Sequence, residues 1–237
     1  MHCRNKVFAL CLFACVVFLF SSCSTKKKTW FHRQYHNTTA KYNGYFNGNE
    51  SIKYGIKKIT DDFVDDYSTI LPIFKTGNLK ESKKAHPYMD KAIQKGSVVI
   101  QKHSIKIRGK EYCKWIDDNY FMVGKAYFYK GEFDEAIKTF VFIADEYKKS
   151  FISYDALLWL SRCYLEKGDF ASSEAILIDL ENNRKFPEEL EKDYEIITAD
   201  LYLRQDNLPL AKNAILNCLK KHKVGKDRAR LNFILAQ

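Results

Sequence analysis

The sequence predicts an all-α protein, an α-solenoid of stacked helical hairpins behind an atypical helical N-terminal cap. Three observations carry this. Marker residues recur at a step of 37 or 38 positions: Tyr127, Tyr164 and Tyr202; Gly131, Gly168 and Asp206; Phe133, Phe170 and Leu208. A fixed step in this range marks supersecondary units that stack on one another. Only 10 Gly and 4 Pro occur in 237 residues, so long helices with few sharp corners are expected. The 15 Tyr and 17 Phe supply rings of the size that fills space between helices.

The chain opens with Arg4 and Lys6, then an unbroken apolar run from Val7 to Phe20. A spanning helix needs about 20 apolar residues. The shorter run therefore reads as the core of a signal peptide, residues 1–22. Phe20-Ser21-Ser22-Cys23 places small residues before a cysteine, the arrangement a lipoprotein signal peptidase accepts. Cys23 is the expected lipid attachment site, and residues 23–36 are expected as a lipidated tether. Lys26, Lys27 and Lys28 follow directly and would lie on anionic headgroups, at about 1 kcal/mol per charge near the surface. Ser24 is not the acid that signals inner-membrane retention, and lysines stand where surface-exported lipoproteins tend to carry acids. The expected location is the outer membrane, lipid-anchored, with the body on the periplasmic side.

Residues 37–110 read as helical but off-pattern. A long or broken helix is expected over Thr39–Ile59, a break at Leu71-Pro72, a loop over Phe74–Asn78, a second helix over Tyr88–His103 and a linker through Gly109. The repeats then run 111–150, 151–186 and 187–224, with Pro187 and Pro209 each fitting a helix start. Residues 225–237 restart the first helix of a fourth unit. Phe233, Ile234 and Leu235 offer no polar cap there, so the sequence is expected to be a fragment of a longer chain.

Within each unit the pattern is a bulky residue, a Leu-Gly-like pair three and four positions on whose second member is small, Tyr, a turn, an aromatic, a small residue and a final apolar one. The first copy reads Tyr120, Val123-Gly124, Tyr127, Gly131, Phe133, Ala136, Phe140. The second reads Leu157, Leu160-Ser161, Tyr164, Gly168, Phe170, Ser173, Leu177. The third reads Glu195, Thr198-Ala199, Tyr202, Asp206, Leu208, Ala211, Ile215. Small residues persist where two antiparallel helices must close to about 8–10 Å. The pattern resembles the tetratricopeptide repeat, which implies protein binding along the face lined by the first helix of each hairpin. Carrying that family's groove positions over gives Asp118, Phe121, Lys125, Phe128 and Tyr129 in the first copy. The second copy gives Asp155, Leu158, Arg162 and Leu165, and the third gives Asp193, Ile196, Asp200, Leu203 and Arg204. The mixture of rings, aliphatics and paired charges suits an extended peptide or a helix, although Phe121 and Phe128 could equally pack on the next repeat.

A further resemblance lies in His36-Asn37-Thr38-Thr39-Ala40-Lys41-Tyr42-Asn43-Gly44-Tyr45-Phe46-Asn47, behind a lipoprotein cysteine and Trp30. With Met89–Ile93, Ile100–Ser104 and Trp115–Asp118, it is similar to the Bacteroidetes gliding-motility and type IX secretion lipoproteins (SprE/PorW-like), whose members are longer. That resemblance implies an outer-membrane scaffold whose partners are protein subunits of a secretion machine. Two alternatives remain: a lipoprotein of the β-barrel assembly machine, and the accessory repeats of a periplasmic enzyme acting on peptidoglycan. Surface glycan binding is disfavoured by the lysines behind Cys23.

The formal charge is +10, and removal of residues 1–22 leaves 37 basic against 29 acidic residues, or +8. Cations and acids interleave along the helices, a solvated pattern rather than a nucleic-acid patch. No catalytic motif, nucleotide loop or zinc-binding histidine motif occurs, so no enzyme activity, cofactor or small-molecule substrate is expected. His32 and His36 share a helical face but lack a third ligand. Asp61-Asp62 and Asp65-Asp66 lack the glycine and terminal glutamate of a calcium loop. Cys113, Cys163 and Cys218 form no C-x-x-C pair, and Cys163 and Cys218 read as buried filler.

Overall fold

The computed structural model describes residues 29–76, 79–148, 150–221, 225 and 227–237; the leader 1–22, Cys23 and Lys26–Lys28 lie outside the described residues. The chain is an array of antiparallel helical hairpins. Helix α1 (Trp30–Thr39) passes through a π-helical segment (Ala40–Phe46) into α2 (Asn47–Asp62), and α3 (Leu79–His103) packs back along both. A two-stranded antiparallel hairpin, β1 (Lys106–Ile107) and β2 (Lys110–Glu111), leads to α4 (Ile116–Lys130) and α5 (Phe133–Glu146). Next come α6 (Phe151–Lys167) with α7 (Phe170–Glu181), then α8 (Glu191–Arg204) with α9 (Leu208–Lys221), and finally α10 (Asp227–Ala236). Each helix packs on its sequence neighbour, and α4, α6 and α8 contact one another in succession. They line one face of the array, the inner face.

The turn between the two helices of each hairpin is the same device three times. The amides of Glu132, Asp169 and Asn207 donate to the carbonyls of Tyr127, Tyr164 and Tyr202, at 3.0, 2.9 and 2.8 Å. This reversal needs a left-handed residue just past the helix end. Gly131 (φ +83°) and Gly168 (φ +75°) supply it at no steric cost, whereas Asp206 takes φ +57° with a side chain. Asp206→Gly is therefore expected to raise the unfolding free energy by about 0.5–1 kcal/mol. Urea unfolding measures this, and a loss instead of a gain would mean the Asp206 side chain offsets its own strain.

Close approach inside the hairpins follows the small residues. A Cβ on Gly124 would lie 2.8 Å from the Phe140 ring, so glycine there lets the ring seat between α4 and α5. Ser161 and Ser173 occupy the matching place in the next hairpin and hydrogen-bond to each other at 2.7 Å, fully buried. Ala199 and Ala211 do the same job in the third. Cys113, Cys163 and Cys218 are all buried, and burial pushes their thiols up to about 11, 12 and 11, which makes them poor nucleophiles.

The N-terminal region is more regular than its sequence suggests. Helix begins at Trp30, inside the stretch expected as tether, because His36 is buried and its Nδ1 lies 2.8 Å from Nδ1 of His103. The two rings share one hydrogen bond, and burial, with the neighbouring His36 and Lys102, holds His103 below its ordinary value. His36 is thus engaged with α3 and not with His32. The second helix starts at Leu79 rather than Tyr88. Pro87 lies within it, on an exposed position, where the carbonyl it cannot bond is left to water. The expected linker is a hairpin whose turn residues, Arg108 (φ +51°) and Gly109 (φ +79°), have the primed geometry that suits two-residue turns. Glu111 holds it by accepting from the amides of Ile105, Tyr112 and Cys113 at 2.7, 2.9 and 2.8 Å.

Candidate functional site

The inner face carries the groove positions, and the chain itself occupies part of it. Residues 63–76, between α2 and α3, run along the array to α10. Leu71 and Ile73 are buried at 3% and 7% exposure in a cluster with Ile196 and Ala199 of α8, Ile215 and Cys218 of α9, and Leu231 and Ile234 of α10. Phe74 packs on that cluster and on the adjoining one around Leu158, Leu165 and Leu201. The Arg162 guanidinium stacks at 4.1 Å over Phe74, 4.8 Å over Phe128 and 4.3 Å over Trp159.

Polar contacts fix the same segment. Asp65 receives both terminal nitrogens of Arg230 at 3.0 and 2.7 Å, and Lys75 at 3.0 Å. Arg230 Nε donates to the Pro72 carbonyl at 2.7 Å. Gln237 accepts from the Leu71 amide at 3.0 Å and donates to the Thr69 carbonyl at 2.7 Å. The Arg230 pair holds the Asp65 carboxyl below the usual range. Such a bidentate, largely buried pair is geometrically specific in a way surface pairs are not. The four aspartates considered as a calcium loop are thereby accounted for: Asp61 pairs with Lys57, Asp62 with Lys84, Asp65 with Arg230, and Asp66 accepts from Ser68. The apolar run at 233–235 is partly covered by the same segment, with Phe233 edge-on to Tyr67 and Leu235 against the Leu71 cluster.

The predicted groove residues therefore fall into two sets. Phe128, Leu158, Leu165 and Ile196 are buried at 2%, 1%, 2% and 6%, and form the wall behind the groove rather than its lining. Phe121 and Phe128 both meet Trp159 of α6 edge-on, closing the first hairpin on the second. Asp200 is buried beside Arg204, which donates to Asp200 at 2.9 Å, to Glu166 at 2.8 Å and to the Leu165 carbonyl at 3.1 Å. Burial pushes the Asp200 carboxyl up against the pull of Arg204. Arg204 thus bolts α8 to α6. Leu203 packs against the cluster around Leu71 and Ile73.

The second set is reachable. Asp118, Phe121, Lys125, Tyr129 and Asp155 are half-buried, and Asp193 is exposed. Lys125 Nζ lies 5.0 Å over Trp159 and 5.8 Å over Phe121. Burial lowers its ammonium from the ordinary value, with Asp155 opposing. Burial likewise pushes Asp155 up to about 6, partly offset by Lys125, and Asp118 up to about 6, with Asp117 adding to the effect. These charges are already partly desolvated, so a partner that supplies opposite charge faces a smaller solvation penalty on docking. Trp159 belongs to this set and was missed by the groove positions; the repeat pattern assigns its place no role. Among the described residues, no group of three or more His, Cys, Asp or Glu is arranged to hold a metal.

Comparison with known families agrees with this geometry. The Tetratricopeptide repeat family matches residues 117–141, from the first turn of α4 to the middle of α5. No curated protein matches the sequence. The two later hairpins share the phase, the small residues and the turn bond of the matched one, so the fold is an α-solenoid of tetratricopeptide-like hairpins with a helical N-terminal cap. A tetratricopeptide repeat is a protein–protein interaction scaffold.

Proposed function

We propose that this chain is a non-catalytic scaffold that holds other subunits of a type IX secretion and gliding-motility machine. In this reading it is anchored through Cys23 in the outer membrane with its array in the periplasm. The observation that carries the binding part is the half-buried strip of Asp118, Phe121, Lys125 and Asp155, lying beside Trp159 on the inner face. It lies toward the N-terminal side of the stretch that residues 71–74 fill. The machinery and the compartment rest on the resemblance at residues 36–47 and on the leader ending at Cys23.

Lys125→Glu reverses the central cation beside Trp159, the ring it shares with Arg162. It is expected to abolish capture of partner subunits in a crosslinking pull-down from membranes while leaving the circular-dichroism helix signal unchanged. Capture equal to the native chain rejects this strip. Recovery of β-barrel assembly subunits in place of secretion subunits rejects the machinery while keeping the scaffold.

A further inference from the structure

We propose that the outer side of α1 and α2 is a lipid-surface docking face for an anionic membrane. The face would work together with the lipid proposed above on Cys23. The helix that runs from Trp30 to Asp62 has two opposite sides. His36, Ala40, Gly44, Gly48, Ile52 and Ile59 are buried against α3 and α4. Trp30, Phe31, Tyr35, Tyr42, Phe46 and Tyr54 are exposed at 64%, 77%, 58%, 54%, 55% and 59%. Positions 31 and 35 lie about one turn apart in α1, 42 and 46 about one turn apart in the π-helical segment, and all four are exposed on the side away from the buried set, so the rings form a stripe. Isolated exposed apolar residues are ordinary on a protein surface, but a contiguous row of rings marks an interaction surface.

The chemistry of the stripe selects lipid. It is made of Trp, Tyr and Phe with no exposed aliphatic among them, the composition that settles at headgroup level rather than in the hydrocarbon. Among the described residues no helix is long and apolar enough to cross a membrane, which fits a face that lies on the surface. Between Lys26 and Asp62 the sequence holds eight basic residues against three acids, Glu50, Asp61 and Asp62. Lys53 and Lys57 flank the rings, exposed and paired with Glu50 and Asp61 at 2.7 Å each, and Lys41 stands over the Tyr42 ring at 5.1 Å. A two-fold contact between copies of this face would set these cations against each other. An anionic leaflet complements them. Distance agrees: six residues separate Cys23 from Trp30, seven steps along the chain, a reach of at most ~25 Å even fully extended. A lipid on Cys23 therefore holds the start of α1 beside the bilayer.

The test uses the chain from Ser24 onward, which retains every described residue and carries no lipid. It is mixed with phosphatidylethanolamine–phosphatidylglycerol vesicles or with pure phosphatidylcholine vesicles, and flotation is measured. Binding to the anionic vesicles is expected, and Phe31→Ser with Tyr42→Ser and Phe46→Ser should weaken it at least ~tenfold with the helix signal unchanged. No flotation of the native chain, or equal flotation of the triple variant, overturns the proposal. So does sedimentation showing that the native face self-associates and that the triple variant does not. Acylation is read separately, from the mass of the mature N-terminus, so a chain found unmodified at Cys23 would sink the anchor reading without touching this result.

Discussion

Leu71→Asp is expected to loosen the C-terminal third of the array. Leu71 is 3% exposed and meets residues of α8, α9 and α10 at once. A carboxylate there would lie among the apolar side chains of the cluster, and burying an unpaired charge in such surroundings costs several kcal/mol. The chain is expected to respond by releasing residues 69–74 from the inner face, which uncovers Ile196, Ile215, Leu231 and Ile234. Hydrogen exchange over 191–237 should then accelerate by about two orders of magnitude, the equivalent of ~3 kcal/mol, while α4 and α5 keep their protection. Were residues 63–76 an ordinary surface loop, the same substitution would change stability by less than about 0.5 kcal/mol. Unaltered exchange in α8–α10 would therefore show that the segment does not hold the array together.

Phe140→Ala is expected to cost about 3–5 kcal/mol of unfolding free energy, the range for deleting a fully buried aromatic. Phe140 is 0% exposed, faces Gly124, and has the Phe121 and Trp159 rings at 5.7 and 6.1 Å. The backbone of α4 cannot close the space, because Gly124 offers no side chain to move into it. Urea unfolding followed by far-ultraviolet dichroism checks the value. A cost below about 1 kcal/mol would mean that the ring is not the wedge between α4 and α5 that its position indicates.

The hairpins were legible because their determinants are local. Gly124, Ser161 and Ala199 each answer a contact within the same hairpin, and Tyr127, Tyr164 and Tyr202 mark the carbonyls that close each turn five residues on. Asp206 was read as a turn residue from phase alone, and its positive φ agrees. The N-terminal helix ends were less legible. The second helix, expected from Tyr88, starts at Leu79 and carries Pro87 on the solvent side, where the lost bond is tolerated. His36 shares a helical face with His32 four residues away, while the ring it bonds, His103, lies 67 positions on. The occupant of the inner face was not legible at all. Leu71-Pro72-Ile73-Phe74 has no period, and Asp65 meets its cation 165 positions away. Nothing near residues 63–76 in sequence announces that they belong inside the array, so the groove positions carried over from the repeat pattern include residues this segment touches, Arg162, Ile196 and Leu203.

The bond from Asp65 to Arg230 also sets a timetable. The two residues stand 165 positions apart, so the contact forms only once nearly the whole described chain is present to fold. Until then Leu71, Ile73 and Phe74 lack the helices that shelter them, and three apolar side chains stay open to water. Completion comes last and from both ends together, when α8 to α10 arrive and the early segment can finally be tucked away.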